Sequence, residues 1–205
     1  MCGIVGHLNL SPGEPIQAFA MESMLNAICY RGPDESGIFV DDQIGLGSVR
    51  LSILDLAGGR QPISNEDGTV WVVFNGEIYN YLELRARLQS AGHHFHTQSD
   101  TEVIVHLYEE GHTAWPNLLN GQFAIALWDQ RKRCLTLVRD RLGVRPLYYT
   151  GVKNSLIFAS EAKALFVQRL QKRIPELNVI LIPSPTRSTF ASLMSFLISA
   201  ACRSM

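Results

Sequence analysis

The feature that most constrains the fold is an apolar run, Thr-Val-Trp-Val-Val-Phe, at residues 69–74. Successive strand residues point to opposite faces of a sheet, so a run that is apolar throughout predicts a strand covered on both faces. The polar stretch before it ends in Asp67-Gly68, a dipeptide typical of a tight hairpin turn. We therefore expect a central strand in a sheet that has other layers on both sides.

The remaining periodic segments divide into groups of strands and groups of helices. Helical spacing of apolar residues predicts helices at 16–30, 82–91, 102–111 and from 161 onward, the third opened by a capping box at 99–102. Short apolar runs predict strands at 4–5, 38–40, 44–51, 123–128, 135–138, 148–149 and 156–159. Grouped strands and helices favour a layered α/β arrangement over an alternating, doubly wound sheet.

Composition limits the classes of partner. The chain has 205 residues and a net charge of −1, with no basic excess of the kind that nucleic acids or anionic membranes select. Its four cysteines, at 2, 29, 134 and 202, show no C-x-x-C pairing, which predicts reduced thiols. No signal-peptide pattern opens the chain, and the late apolar stretch at 190–202 is too short to span a bilayer. We expect a cytoplasmic protein without nucleic-acid or membrane partners.

The first six residues, Met-Cys-Gly-Ile-Val-Gly, carry the most chemistry. If Met1 is removed, Cys2 holds both a thiol and a free α-amine, which titrate near ~8.5 and ~7.7–8.0. The amine can then act as the base that activates the thiol, without a histidine. Ile4 and Val5 predict a buried strand that holds this terminus. The alternative is a cysteine that only packs, at a terminus that frays.

A second candidate for chemistry is the histidine-rich stretch at His93, His94 and His96. Metal sites in proteins combine histidine with acidic or cysteine ligands at characteristic spacings. No such ligand stands at a matching spacing here, so the stretch predicts a polar loop or strand edge, and no metal site is expected.

Eight short motifs occur in one order along the chain and together resemble a known family. They are Met-Cys-Gly-Ile-Val-Gly at 1–6, Arg-Gly-Pro-Asp at 31–34, Arg-Leu-Ser-Ile at 50–53, Asn-Gly-Glu-Ile-Tyr-Asn at 75–80, Ser-Asp-Thr-Glu at 99–102, Gly-Gln-Phe-Ala at 121–124, Arg-Asp-Arg-Leu-Gly-Val at 139–144 and Ala-Ser-Glu-Ala-Lys-Ala-Leu at 159–165. This set resembles the glutaminase domain of asparagine synthase (glutamine-hydrolysing), in the class II glutamine amidotransferase family. Over about residues 1–167 the resemblance implies an α+β N-terminal-nucleophile hydrolase fold, a four-layer αββα sandwich with mostly antiparallel sheets.

The resemblance implies a pocket for free L-glutamine. Arg50 would bind the α-carboxylate, because its planar guanidinium suits bidentate contact; a plain salt-bridge arginine is the alternative. Asp100 would bind the α-ammonium, helped by Glu77, although a carboxylate at a helix start can simply complement the helix dipole. The backbone lining the pocket would come from Leu51, Ser52, Ile53 and Leu54.

The resemblance also implies the reacting groups. Cys2 would be the nucleophile and its α-amine the base, and the intermediate would be a γ-glutamyl thioester. The Asn75 side-chain amide and the Gly76 backbone N–H would form the oxyanion hole. Asn-Gly is also a common turn dipeptide, but its position directly after a buried strand favours the site. No metal is expected in this reaction.

The second half of an asparagine synthase is missing from the pattern. Its ATP-pyrophosphatase domain carries a Ser-Gly-Gly-x-Asp-Ser phosphate loop, and no such loop occurs in the 205 residues. Residues 168–205 are predicted to be a divergent tail, truncated or frame-shifted. We expect no cofactor for glutamine hydrolysis, with ATP and Mg²⁺ entering only through the absent synthetase domain. Asparagine synthesis would then need either the missing domain or a separate synthetase chain as partner; the alternative partner is a second copy of this chain in a homodimer.

Three functions therefore stay open. The first is release of ammonia from L-glutamine for the ATP-dependent amidation of aspartate. The second keeps glutamine hydrolysis but delivers ammonia to another acceptor, such as a sugar or exopolysaccharide precursor. The third is a non-catalytic remnant of the fold, which is favoured if Met1 stays attached, because the amine base would then be an amide.

Overall fold

The computed structural model describes residues 2–11, 15–52, 58–111, 114–172 and 179–182. Within these ranges no helix combines the length and the apolar character that crossing a membrane requires. The α-helices are α1 (Ala18–Ile28), α2 (Tyr81–Ser90), α3 (Glu102–Glu109) and α4 (Ala162–Lys172), with 3₁₀ turns at Cys29–Arg31 and Trp115–Leu118. The strands are β1 (Gly3–Asn9), β2 (Glu35–Val40), β3 (Ile44–Arg50), β4 (Ile63–Ser64), β5 (Val70–Ile78), β6 (Gly121–Asp129), β7 (Cys134–Arg139), β8 (Tyr148–Val152), β9 (Ser155–Ala159) and β10 (Ile180–Leu181).

The strands form two sheets whose named strand pairs are all antiparallel. The larger sheet has the order β10-β8-β9-β1-β3-β2, and the smaller has the order β4-β5-β6-β7. The first strand of the chain therefore lies in the interior of the larger sheet, between β9 and β3. Hydrogen bonding on both sides holds the residues at the start of β1 in place.

Three separate hydrophobic cores define four layers. Between the two sheets, buried residues of the larger sheet pack against those of the smaller, among them Leu46, Phe158, Val73, Trp128 and Leu137. Outside the larger sheet, α1 and α4 bury Met21, Leu25, Ile157 and Leu165. Outside the smaller sheet, α2 and α3 bury Phe74, Leu88, Ile104, Leu107 and Ile125. The order helix, sheet, sheet, helix confirms the predicted αββα sandwich.

β5 is covered on both faces, as its apolar run predicts. Val73 packs between the sheets, whereas its neighbours Val72 and Phe74 pack beneath α2 and α3. Each fully buried side chain of this size contributes about 1.5–3 kcal/mol of hydrophobic stabilisation. The strand is longer than the apolar run and continues through Asn75 and Gly76 to Ile78, so the predicted oxyanion-hole residues belong to a strand and not to a turn.

The predicted capping box at 99–102 is wrong in detail. The side chain of Ser99 accepts a hydrogen bond from the Thr101 N–H at 3.2 Å instead of from Glu102. The Glu102 carboxylate is buried and accepts from the N–H groups of His96 and Thr97, at 2.7 Å each. The helix still begins at Glu102, but the Glu102 carboxylate is hydrogen-bonded to the preceding loop and does not cap the helix.

Candidate active site

The register of β1 and β3 places Cys2 opposite Arg50. Gly3 pairs with Val49 in this antiparallel ladder, so the residue before Gly3 faces the residue after Val49. The Cys2 thiol lies beside the next carbonyl along, with its Sγ 3.8 Å from the Leu51 oxygen. Cys2, the predicted nucleophile, and Arg50, the predicted carboxylate ligand, thus lie opposite each other at the ends of two paired strands, although they are far apart in the sequence.

Two residues that sequence analysis left without a role hold the Cys2 backbone. The Arg31 Nε donates to the Cys2 carbonyl oxygen at 3.0 Å, and its Nη1 pairs with Glu161 at 2.7 Å. The Tyr30 hydroxyl also donates to Glu161. Burial alone would raise the pKa of Glu161, but these hydrogen bonds outweigh it and hold the pKa below its ordinary value. Glu161 therefore stays ionised and anchors Arg31.

Arg50 is 5% exposed and already faces one carboxylate. Its guanidinium contacts Glu35 at 2.7 Å, and the two residues are direct partners in the β2–β3 ladder. A buried guanidinium needs such a partner, because an uncompensated buried charge is costly. The pair with Glu35 therefore fixes the orientation of the Arg50 guanidinium, a group that carries five N–H donors.

The backbone N–H of Gly76 points away from β6. Its ladder partner Phe123 uses its own N–H and C=O for Asp140, at 3.2 Å and 2.8 Å. Gly76 and Phe123 are therefore a non-hydrogen-bonded pair of the antiparallel ladder, whose backbone groups face outward. A Cβ at position 76 would lie 2.1 Å from the Gln122 oxygen, so only glycine lets β5 and β6 approach this closely.

On that outer edge of β5, the Gly76 N–H lies between two donors that have partners. The Phe74 N–H donates to the Gln61 side chain at 2.7 Å, and the Ile78 N–H donates to the Asp100 carboxylate at 2.9 Å. Among the described residues no acceptor is hydrogen-bonded to the Gly76 N–H. An available backbone donor at a glycine is what an oxyanion hole requires.

Asn75 is connected to the start of β1 through Ser160. The Ser160 Oγ accepts the Ile4 N–H at 2.9 Å and lies 3.5 Å from the Asn75 Nδ2, at the limit of a hydrogen bond. Asn75 is 1% exposed, and its Oδ1 has no hydrogen-bond partner among the described residues. A buried amide this weakly bonded keeps its N–H groups available to another acceptor.

Asp100 carries a buried negative charge that is only partly compensated. Burial, followed by the nearby charge of Glu77, raises the pKa of Asp100 above its ordinary value, and the hydrogen bond from Ile78 offsets only part of this. Asp100 is 6% exposed, whereas Glu77 is exposed. Two carboxylates beside one another, one of them desolvated, favour a cation between them.

Replacing Asp100 with asparagine is expected to stabilise the protein in the absence of ligand at neutral pH. The melting temperature should rise by about 2–4 °C, the shift that about 1 kcal/mol produces in a domain of this size. Because the folded-state pKa is raised, the native carboxyl destabilises the fold only at pH values where it ionises, so the gain should disappear below about pH 4. Thermal unfolding of both proteins at the two pH values checks this.

A lower melting temperature of the Asp100→Asn variant at both pH values would contradict that expectation. It would mean that the charge-assisted hydrogen bond to Ile78 outweighs the cost of burying the charge.

The structure thus joins some predicted site residues and leaves others apart. Cys2, Arg50 and Leu51 lie together, and Asn75 reaches β1 through Ser160. Ser52 donates its N–H to Asp34 at 2.8 Å. Asp100 joins the end of β5 through Ile78, and Glu77 and Gly76 lie on the same strand. Ile53 and Leu54 lie outside the described residues.

Solved structures share this architecture. The glutamine phosphoribosylpyrophosphate (PRPP) amidotransferase from B. subtilis, complexed with ADP and GMP, superposes with a TM-score of 0.65 and 24% sequence identity. The match covers 81% of this chain and 43% of that chain. This likeness shows the fold, and the chain has the N-terminal-nucleophile hydrolase fold that its motifs predict.

Curated proteins are more similar to this chain in sequence than that solved structure is. The chain is 49% identical over 168 residues to asparagine synthetase [glutamine-hydrolyzing] 2 of Bacillus subtilis (strain 168), which covers 81% of this chain and 22% of the relative. It is 44% identical over 169 residues to asparagine synthetase [glutamine-hydrolyzing] 1 of the same organism, covering 82% of this chain and 27% of the relative. The chain thus spans about a quarter of the length of these relatives. The glutamine amidotransferase domain family matches residues 1–196, and the chain belongs to that family.

Proposed function

We propose that this domain hydrolyses L-glutamine to glutamate and ammonia, with Cys2 as the nucleophile. The observation that carries the proposal is the β1–β3 register, which brings Cys2 opposite Arg50, with the Cys2 Sγ 3.8 Å from the Leu51 carbonyl oxygen. A nucleophile next to a buried guanidinium suits a substrate that carries both an electrophilic carbon and a carboxylate. Free glutamine has both.

The two charged ends of glutamine find complementary groups. The α-carboxylate binds the guanidinium of Arg50, whose orientation the contact with Glu35 fixes. The α-ammonium binds between Asp100 and Glu77, where it neutralises the partly compensated negative charge. The backbone of Leu51 and Ser52 lines the space between these ends. A substrate held at both termini presents its carboxamide to Cys2.

The first chemical step forms a thioester. After removal of Met1, the α-amine of Cys2 takes the thiol proton, and sulfur attacks the δ-carbon of glutamine. The carboxamide oxygen becomes an oxyanion that accepts hydrogen bonds from the Asn75 Nδ2 and the Gly76 N–H. When the adduct collapses, the C–N bond of the carboxamide breaks. The protonated α-amine of Cys2 gives its proton to the leaving nitrogen, which departs as ammonia.

The second step restores the enzyme. A water molecule loses a proton to the α-amine and attacks the γ-glutamyl thioester at the same carbon. The oxyanion occupies the same two donors, the C–S bond breaks, and the thiolate recovers its proton as glutamate leaves. Arg31 and Glu161 keep the Cys2 backbone fixed through both steps, which preserves the distance between the sulfur and the donors.

The acceptor of the ammonia is aspartate in this proposal. The relatives that are 49% and 44% identical both bear the name asparagine synthetase [glutamine-hydrolyzing]. ATP and Mg²⁺ would act in an ATP-dependent synthetase unit, in the same protein or in a partner chain. Measuring asparagine formation from glutamine, aspartate and ATP by the natural protein that carries these residues tests the acceptor. Amidation of a sugar precursor and not of aspartate would favour the second acceptor class.

Glutamine hydrolysis itself is tested by combining an activity assay with the intact mass. We expect the purified chain to release glutamate in proportion to the fraction of molecules whose mass shows that Met1 is gone. The reason is that an amide nitrogen at Cys2 cannot accept the thiol proton, whereas a free amine can. Glutamate release that is equal in molecules with and without Met1 would contradict this mechanism, and no release from fully processed protein would favour the non-catalytic remnant.

A further inference from the structure

Four side chains from three separate segments meet on the far side of the smaller sheet. Glu66 lies in the β4–β5 turn, His93 follows α2, and His106 and Glu109 lie one turn apart on α3. Each offers one ligand atom, and all four atoms lie within 4.8 Å of one another. His106 is fully buried, His93 is partly buried, and Glu66 and Glu109 are exposed. This group is called the His-Glu cluster below.

The spacings within the His-Glu cluster fit one central ion better than they fit direct hydrogen bonds. The Nδ1 of His93 lies 3.7 Å from the Glu66 Oε1 and from the Glu109 Oε2, and the Nδ1 of His106 lies 3.5 Å from the other Glu66 oxygen, Oε2, and 3.2 Å from the Glu109 Oε2. Three of these four distances exceed the usual N–H···O range. Bond lengths to zinc of about 2.0–2.2 Å give tetrahedral edges of about 3.3–3.6 Å, close to what is observed.

Groups outside the cluster orient its ligands in the manner of metal sites. The Nε2 of His93 lies 3.1 Å from the Glu110 carboxylate, and the Nε2 of His106 faces Glu102 at 3.8 Å. In metal sites the second nitrogen of a histidine ligand commonly faces a carboxylate in this way. Asn65 donates to Glu109 at 2.6 Å, and the His94 N–H donates to Glu66 at 3.0 Å. His93, Glu66 and Glu109 are therefore each in hydrogen-bond contact with a residue outside the cluster, whereas the buried Nε2 of His106 has no hydrogen-bond partner among the described residues.

The charge balance around the cluster also calls for a cation. Four carboxylates, those of Glu66, Glu102, Glu109 and Glu110, surround two imidazoles. A proton on one of the two histidines would reduce the excess negative charge, and so would a divalent cation between the ligands. Only the cation satisfies all four inward-facing atoms at once.

We propose that the His-Glu cluster binds one Zn²⁺ ion that fastens the β4–β5 turn, the α2–α3 connection and α3 together. Two imidazole nitrogens with two carboxylate oxygens form a ligand set for zinc, whereas Mg²⁺ and Ca²⁺ prefer oxygen alone. All four positions are filled by protein, which is the form of a structural site and not of a catalytic one. The ion lies outside the proposed reaction, but it fixes the segment between His93 and His106 that carries Asp100.

In the sequence, His93, His94 and His96 together predict a polar loop or strand edge and no metal site. The structure separates them, because only His93 belongs to the cluster and the other two side chains are exposed. The acidic ligands come from positions 66 and 109, so no short spacing in the sequence reveals them.

The test is zinc binding by the full chain without a histidine tag, in a Cys2→Ala background, because a terminal thiolate is itself a zinc ligand. We expect one bound Zn²⁺ per chain by elemental analysis, and a visible absorption spectrum typical of tetrahedral coordination when Co²⁺ is bound instead. The melting temperature should rise by about 5 °C or more when zinc exceeds its Kd about 100-fold.

Three variants separate the cluster from incidental binding. His93→Ala and Glu66→Gln change accessible side chains and should weaken zinc binding by more than the roughly 10–100-fold that loss of an outer partner causes. Their metal-free melting temperatures should stay near that of the parent. His94→Ala, which removes an exposed neighbouring histidine, should bind zinc normally. The proposal is overturned if the parent binds no stoichiometric zinc, or if His93→Ala and Glu66→Gln bind it as tightly as His94→Ala.

Discussion

Replacing Cys2 with alanine is expected to lower kcat for glutamine hydrolysis by about 10⁴-fold or more, because no other group can form the thioester. The side chain directly precedes β1 and its sulfur lies 3.8 Å from the Leu51 carbonyl oxygen, a weak hydrogen bond, so the fold should tolerate the change. Glutamate release by the purified variant, with its melting temperature measured alongside, checks both expectations. A kcat within about tenfold of the parent would rule out Cys2 as the nucleophile.

Cys29→Ala is the matched control for that experiment. Cys29 is an exposed free thiol on the 3₁₀ turn after α1, and it has no place in the proposed reaction. Its removal should leave kcat and KM unchanged. A large loss of activity in this variant as well would mean that replacing a cysteine impairs the protein by a route other than loss of the nucleophile, such as aggregation during purification.

The layers of the fold were predictable because burial patterns are local. The apolar run at 69–74 predicts a strand covered on both faces, and Val72 and Val73 do pack into different cores. What the pattern could not supply is register. The pairing of Gly3 with Val49, which puts Cys2 opposite Arg50, depends on how β1 and β3 fit between two other strands, and no property of either segment alone determines it.

The site residues divide along the same line. Cys2, Asn75 and Gly76 belong to recognisable sequence motifs and have residue types suited to the proposed chemistry, so they could be predicted from the sequence. Their roles stay predictions until activity is measured. Arg31 and Ser160 act through contacts with a distant backbone, at 3.0 Å to Cys2 and 2.9 Å to Ile4. A signal did exist: Ser160 and Glu161 follow directly after an apolar strand, where polar residues commonly gather at an edge.

The capping box was predicted wrongly, and the His-Glu cluster was not predicted at all, for a related reason. Ser-Asp-Thr-Glu at 99–102 satisfies the local rule for a helix start, yet Glu102 turns back to the His96 and Thr97 N–H groups and faces His106. Glu66 and His93 come together only because the β4–β5 turn packs beside the α2–α3 connection. Local rules describe what a side chain can do, whereas tertiary packing decides which of several partners it meets.

Asn75→Ala should lower kcat by about 10²–10³-fold, since removal of one oxyanion donor costs about 2.7–4 kcal/mol of transition-state stabilisation. KM should change little, because the donor acts on charge that develops only in the transition state. The melting temperature should not fall. The Asn75 Oδ1 has no partner among the described residues and its Nδ2 has only a 3.5 Å contact, so the fold loses little with the amide.

The combination of the two readouts distinguishes catalysis from structure. A buried asparagine that merely holds β5 to β1 would, when removed, lower the melting temperature and leave kcat of the folded fraction intact. Asn26→Ala, which removes an exposed amide on α1, should change neither quantity and controls for loss of an amide in general. If Asn75→Ala keeps the parent's kcat, the oxyanion must be held elsewhere, and the Gly76 N–H on the outer edge of β5 would be left as a donor without its proposed companion.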